Sequence, residues 1–280
     1  MRAALALWRS THPGPTLVVT ALSLGLGIAA GLDAWRVVVL VVAVFCGQLS
    51  IGLSNDAIDS DRDRQVGRTD KPIAHGDVSL RAAWIAALAT LVVALALTGW
   101  LGWEAAVAHG ILLASAWAYN AGLKSTAVSI VPFLVSFGLF PSVATLSAAE
   151  PALAAWWASL AGAVLGAAVH LTNVLPDLDD DRETGVRGFP HRIGARWSAV
   201  LAAGGILAGA VAVVWGSAGG DLDKVSVLSW VFSAMVLLAA IATVVLAVIR
   251  APGRVLFRLV MGAALLLALQ LVLSGGTLAA

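Results

Sequence analysis

Charge is what this sequence has least of. Lys, Arg, Asp and Glu make up 12% of its 280 residues, against 60% apolar ones, a balance that argues against a soluble core with a solvated surface and suits a chain embedded in lipid. Cysteine occurs once, at Cys46 inside an apolar stretch, so disulfides and thiolate metal sites are excluded within one chain and the thiol reads as a small packing residue. Aromatics other than tryptophan are sparse, with seven Phe and one Tyr. Net charge is only +1, and no nucleic-acid partner is expected. The apolar run Ala3 to Trp8 behind Arg2 is too short for a secretory signal, and His12-Pro13-Gly14-Pro15 then breaks the chain, which leaves residues 1–12 as an interfacial segment.

Long apolar runs are what is there. Nine stretches, 15–32, 36–55, 82–101, 104–120, 126–146, 151–175, 197–217, 225–249 and 255–275, are each long enough to cross a hydrocarbon layer of ~30 Å at 1.5 Å per residue. The expected fold is therefore an all-α, multi-pass membrane bundle of about nine transmembrane helices. With the N-terminus inside, 15 of the 17 basic residues fall on the inner face and only Arg36 and Lys224 outside, as cytoplasmic loops require. Trp8, Trp35, Trp84, Trp100, Trp103, Trp156, Trp157, Trp197 and Trp215 lie near span ends, where the amphipathic ring anchors at the headgroup boundary. Eleven of the 16 acids also lie inside, in two segments, and the positive-inside rule does not explain that crowding.

Those segments are copies of one another. At an offset of 118, residues 55–76 (NDAIDSDRDRQVGRTDKPIAHG) match residues 173–194 (NVLPDLDDDRETGVRGFPHRIG) at eight of 22 positions without a gap. The identities are Asn55 with Asn173, Asp59 with Asp177, Asp61 with Asp179, Asp63 with Asp181, Arg64 with Arg182, Gly67 with Gly185, Pro72 with Pro190 and Gly76 with Gly194. Composition alone would supply roughly one or two. Each copy straddles the inner end of an even-numbered span, with four crossings between them, so both face the same side. The chain reads as a single membrane domain, 1–280, built from two related units with a site between them.

Asn55, Asp59 and Asp63, and in the second copy Asn173, Asp177 and Asp181, recur at i, i+4 and i+8. On a helix such residues share one face at about 6 Å per step, and their mutual repulsion calls for a cation. Carboxylate and amide oxygens without a His or Cys cluster suit a hard ion, Mg²⁺, which shares phosphate oxygens and keeps waters. Two facing sets of ligands imply a diphosphate between them. Solvated loops whose acids pair with neighbouring Arg are the bland alternative, and they do not call for a duplicated register. Pro176 just before Asp177 weakens the helical argument for the second copy. Each segment nets −1, with six acids and five bases in 55–81 and five and four in 173–196. Loaded with divalent ions, the pair becomes positive and attracts a polyanion. Lys124, with Tyr119 and Asn120 a turn above it, is the basic residue of the connection between the fourth and fifth spans. It can grip a diphosphate or act as an interfacial anchor.

The first copy, N-D-x-x-D-x-x-x-D at Asn55, Asp56, Asp59 and Asp63 followed by K-P-x-x-x-G at Lys71 to Gly76, together with Asp177, Asp181 and Gly185 in the second, resembles the paired aspartate-rich motifs of the UbiA superfamily of intramembrane prenyltransferases. The family more often has Arg where this chain has Lys71. The resemblance implies nine helices around a central cavity capped from the cytoplasmic side, in the cytoplasmic membrane. It implies transfer of a prenyl group from a polyprenyl diphosphate to an aromatic or lipid acceptor, with loss of diphosphate. Metal ligands would be Asn55, Asp59, Asp63, Asn173, Asp177 and Asp181. The diphosphate would be held by Asn55, Arg68, Lys71, Asn173, Arg182 and Lys124, and catalysis carried by Asp59, Asp63, Asp177, Asp181, Lys124 and Tyr119. Phe133, Phe137 and Phe140 form a candidate wall for the isoprenoid tail, which helix packing explains equally well; His170 and His109 read as hydrogen-bonded packing residues.

Two other functions stay open. A terpene cyclase on the same fold would capture the cation with the donor's own double bond, and would call for more aromatic lining than this chain has. A cation or solute transporter would place ionisable groups at mid-membrane, whereas all 33 charged residues here fall at or near span ends.

Overall fold

The computed structural model of the protein describes residues 2–68, 70–173, 187–249, 254–274 and 278–280. The described residues form helices and turns, with one isolated antiparallel bridge between Ala154 and Ala279. In chain order the helices are α1 (Arg2–Arg9), α2 (Pro13–Ala29), α3 (Ala34–Gln65), α4 (Pro72–His75), α5 (Leu80–Leu101), α6 (Trp103–Ala121), α7 (Val131–Thr145), α8 (Trp156–Asn173), α9 (Phe189–Ser217), α10 (Val227–Ile249) and α11 (Arg254–Leu273). Among the described residues, nine of these are 15 residues or longer and fall on the nine apolar stretches; α3, α5, α9, α10 and Val255–Leu273 within α11 are by themselves long and apolar enough to cross a membrane.

Boundaries differ where local chemistry overrides hydropathy. The apolar run of α3 stops near Asn55, yet the helix continues to Gln65, because the polar extension supplies its own pairs, Arg62 to Asp59 at 3.1 Å and Arg64 to Asp61 at 2.9 Å, both at i+3. α7 starts at Val131 rather than 126, with Pro132 in its first turn, where a missing N–H costs nothing. Between α5 and α6 the chain breaks for one residue, Gly102. Ser79 caps α5 by accepting a bond from the Ala82 N–H at 3.2 Å.

The core runs the length of the bundle through Leu40 and Val44 of α3, Leu113 of α6, Val143 of α7, Ala161 of α8 and Ile206 of α9. Small residues let helices approach: a β-carbon on Gly166 of α8 would lie 2.5 Å from the Phe133 carbonyl oxygen of α7. Outside, Leu238, Ile241, Val245 and Val248 of α10 and Ile85, Leu88 and Val92 of α5 are exposed. Moving each such side chain out of water gains roughly 1.5–3 kcal/mol, so lipid is the solvent in which this surface is stable.

The internal repeat survives as backbone geometry. Pro72 opens α4 and Gly76 ends it at φ 89°; Pro190 lies in the first turn of α9 and Gly194 interrupts that helix at φ 80°. Both glycines hold a positive φ that a β-carbon disfavours, but Gly76 is left-handed helical at ψ 6° and ends its helix, whereas Gly194 is extended at ψ 164° and only kinks α9. A helical proline-to-glycine turn thus follows each acidic segment, with a different exit in each copy.

Candidate active site

Continuation of α3 through Gln65 puts Asn55, Asp59 and Asp63 on one helical face, as their spacing predicts. Asp59 and Asp63 are buried, at 8% and 4% exposure, and so is Asp56 at 2%. Carboxylates taken this far from water need partners. Asp59 receives both oxygens' worth from Lys124, whose Nζ lies 2.5 Å from Oδ1 and from Oδ2, and a further contact from Arg62. Asp56 takes Lys71 Nζ at 2.6 Å and His12 Nε2 at 2.8 Å on the same oxygen. Asp63 has the Arg62 guanidinium at 3.9 Å.

Asn55 is oriented by a chain of amides. Asn120, buried on α6, donates through Nδ2 to the Ile51 carbonyl at 2.9 Å and to Ser54 Oγ at 3.0 Å. With both protons of that NH₂ spent, its oxygen accepts from Asn55 Nδ2 at 3.0 Å. The Asn55 oxygen, the atom a hard cation would want, is thereby left facing away from Asn120.

Lys124 sits on the 3₁₀ turn Leu123–Ser125 after α6. Burial pushes its pKa below the usual amine value, while the hydrogen bond and charge of Asp59 pull the other way. Five residues on, Ser129 Oγ accepts the Phe189 N–H at 2.8 Å and shares a hydrogen bond with His170 Nε2 at 3.0 Å. Gly188 packs so tightly here that a β-carbon would lie 2.5 Å from the Lys124 carbonyl oxygen. The connection between α6 and α7 therefore touches α3 through Lys124 and both flanks of the second acidic segment through Ser129, which brings the motif-bearing ends of α3 and α8 to the same end of the bundle. Tyr119 stands edge-on to Phe133 at 5.0 Å and to His170 at 5.6 Å; Phe133 stacks on His170 at 4.7 Å and lies parallel to Phe137 at 6.4 Å. Further along α7, a small apolar cavity is lined by Phe137, Phe140, Leu22, Leu26 and Leu165.

Of the residues singled out from sequence, Asn55, Asp59, Asp63, Lys71, Lys124 and Tyr119 gather around this end. Asn173 ends α8 and is exposed. Arg68 lies at the surface in a two-pronged bond to Asp70, 2.8 Å on each arm, which holds the Asp70 carboxyl down to about 2. Asp177, Asp181 and Arg182 lie outside the described residues, as do Asp179 and Gly185. His12, the role of Asp56, Asn120 and Ser129 were missed: each acts through partners 15 to 69 positions away, and no periodicity connects them. Only the pairing of Asn120 with Tyr119 just above Lys124 hinted at one of them.

The donor set suits a hard divalent ion, being carboxylate and amide oxygen throughout. Among the described residues no group of three or more His, Cys, Asp or Glu is close enough to hold a metal; Asp56 and Asp59 turn onto their lysines instead, and the matching acids of the second segment lie outside the described residues.

A family model, the UbiA prenyltransferase family, matches residues 16–262. The chain belongs to the UbiA prenyltransferase family. A digeranylgeranylglyceryl phosphate synthase of Natronomonas pharaonis is 31% identical over 202 residues, covering 69% of this chain and 70% of that protein. Among solved structures, a UbiA homolog from Archaeoglobus fulgidus bound to GPP and Mg²⁺ superposes with a TM-score of 0.72 over 97% of this chain and 99% of that one, at 13% identity. An apo UbiA homolog from Aeropyrum pernix K1 gives 0.73 over 93% and 98%, at 18% identity. These likenesses show the fold, while the family match makes the chain an integral membrane enzyme of prenyl transfer. As a UbiA prenyltransferase it keeps the all-helical bundle.

Proposed function

We propose that the enzyme, a single domain over residues 1–280, transfers a prenyl group from a polyprenyl diphosphate to a nucleophilic acceptor at the cytoplasmic face of the cytoplasmic membrane, with Mg²⁺ as its metal. The observation that carries this reading is the largely buried Asp59–Lys124 pair, an acid on α3 and an ammonium on the turn after α6. Its two halves have separate uses once donor arrives, the carboxylate for metal and the ammonium for phosphate. Asn55, Asp59 and Asp63 would hold metal on one side and Asn173, Asp177 and Asp181 on the other; bound there, Mg²⁺ neutralises the departing diphosphate.

The allylic C–O bond breaks with its electron pair going to the diphosphate, and the acceptor's nucleophile bonds to the freed carbon and loses its proton. Lys124, Lys71 and Arg182 act on the first event as a fixed positive field around the leaving group. Tyr119, Phe133 and Phe137 line the path from the acidic end toward the apolar cavity; their π faces tolerate developing positive charge, and the dry surroundings keep water from quenching it. The isoprenoid tail follows Phe137 and Phe140. Support for a phosphate-ester donor and a divalent metal comes from the Archaeoglobus fulgidus homologs bound to GPP or DMAPP with Mg²⁺ and from one bound to Cd²⁺.

The test is product analysis in proteoliposomes with prenyl diphosphates of several lengths, Mg²⁺ and a panel of acceptors. Prenylated glyceryl phosphate leads the panel, because the Natronomonas pharaonis relative carries that class of product in its name; quinone precursors, phenols and lipid alcohols follow. Diphosphate release that begins only when an acceptor is added supports transfer. A cyclic hydrocarbon formed from donor and Mg²⁺ alone overturns it in favour of a cyclase.

A further inference from the structure

His12 has no task in the chemistry above, yet the N-terminal turn is built around it. It is the N-cap of α2 and holds φ 54° and ψ 69°, the only non-glycine residue at positive φ among those described. That conformation disfavours any side chain bearing a β-carbon, and the N-cap position favours Ser, Thr, Asp or Asn, whose oxygen would take a helix N–H. His12 makes no such bond. By local rules it is a poor choice, which points to a tertiary contact that compensates.

That contact is Asp56, whose Oδ1 takes His12 Nε2 at 2.8 Å and Lys71 Nζ at 2.6 Å, the two nitrogens lying 3.4 Å apart. The turn is pressed onto α3 to make it. Thr11 lies so close that a β-carbon on Gly52 would sit 2.4 Å from the Thr11 carbonyl oxygen, and Gly52 is one helical turn before Asp56 on the same face. Thr11 is held in turn by Thr16 Oγ1, which donates to its carbonyl at 2.7 Å, and by its own hydroxyl, which donates to the Trp8 carbonyl at 2.7 Å. One small apolar cluster, Ala6 of α1 with Ala57, Ile73, Val78 and Ala83, lies under both arms, so His12 and Lys71 converge on Asp56 from a shared base.

We propose that His12 is a positioning residue for the donor's diphosphate: through Asp56 it fixes the Lys71 ammonium beside the first acidic motif, so the N-terminal turn is a working part of the active site. The inference rests on the reading of Lys71 as a diphosphate ligand. A lysine on a four-carbon stem is a mobile point charge; the second hydrogen bond, from His12, keeps the Asp56 carboxylate from rotating and so restricts where that charge can sit. Asp56 is accordingly an orienting acid, distinct from the metal-facing Asn55, Asp59 and Asp63.

The experiment measures pyrophosphate affinity in Mg²⁺, together with donor KM and kcat, on the full-length protein in nanodiscs. His12→Ala weakens pyrophosphate and raises donor KM by about tenfold, the size of a lost hydrogen bond to a charged group, with kcat within about twofold. His12→Gln, which restores an N–H donor, recovers most of the affinity and guards against a folding defect in the alanine variant. In a Lys71→Ala background His12→Ala has no further effect. The proposal is overturned if His12→Ala leaves pyrophosphate affinity unchanged, or weakens it equally with and without Lys71. If Lys71→Ala itself leaves affinity unchanged while Asp59→Ala abolishes it, the reading of Lys71 falls and takes this inference with it.

Discussion

The two proline-to-glycine turns share a proline and a positive-φ glycine and differ in their exits and in what they carry. In the first, Lys71 precedes Pro72 and its ammonium bonds Asp56; in the second, Phe189 precedes Pro190 and it is the backbone N–H that is held, by Ser129. Gly76 and Gly194 end the two turns at similar positive φ, 89° and 80°, but at ψ 6° and 164°, so the chain leaves them in different directions. The proline and the positive-φ glycine have therefore been kept while the residue before the proline became a charge in one copy and an anchor in the other. Symmetry of sequence here sets where the acidic segments end, and asymmetry of side chains decides which half supplies cations from its turn.

The comparison breaks at its strongest point if the acidic sets are not both required. Asp59→Ala and Asp177→Ala should each lower donor cleavage by at least about 100-fold, on the scale of losing a principal electrostatic stabiliser, with the protein still folded and membrane-inserted; chelation of divalent ions should stop turnover and Mg²⁺ restore it. Full activity of either variant, or turnover in chelator, contradicts the account. Lys71→Met should raise donor KM about tenfold or more, whereas Phe189→Leu, which leaves the N–H to Ser129 intact, should stay within about twofold; equal losses would erase the proposed asymmetry.

Asn120→Ala should raise the Mg²⁺ concentration needed for half-maximal rate by about tenfold, since it frees the Asn55 amide to turn; a metal titration reads this directly. Lys124 gives a pH signature. Its pKa is lowered by burial from 10.5, so as pH rises it loses its proton, and with it the attraction for diphosphate, earlier than an exposed lysine would. The rate should fall on the alkaline side below pH 10.5, and Lys124→Arg should shift or remove that limb. The smallest effects belong to the glycines. Nothing lies within 4 Å of a β-carbon added at Gly76 or Gly194, so alanine at either costs only backbone strain, about 1–2 kcal/mol in the left-handed well of Gly76 and more at Gly194, whose ψ of 164° is open essentially to glycine alone; the Gly194→Ala thermal unfolding shift should be the larger.

Much of the bundle was legible because hydropathy over 20 residues is a strong signal and membrane helices obey it. The face shared by Asn55, Asp59 and Asp63 was legible because helical periodicity fixes neighbours four apart. Helix ends were less so: the extension of α3 depends on i+3 ion pairs, and the late start of α7 on one proline. His12, Asn120 and Ser129 were hidden for a different reason. Their partners, Asp56, Ser54 and Phe189, lie 44, 66 and 60 positions away, and contacts made by packing leave no spacing to read. Asp56 was visible as an acid of the first motif, but it lies outside the i+4 register, which assigns it no role; its burial against Lys71 and His12 is a contact that sequence spacing does not reveal.

The central claim is that two acidic segments grip one metal-bound diphosphate, displacing a lysine that guards the first. An experimental structure with Mg²⁺ and pyrophosphate tests it most directly. Asp59 and Asp177 should both bind ions attached to the same pyrophosphate, with Lys124 moved from Asp59 to a phosphate oxygen. Ions confined to one segment, or Lys124 still on Asp59 with pyrophosphate bound elsewhere, would contradict it.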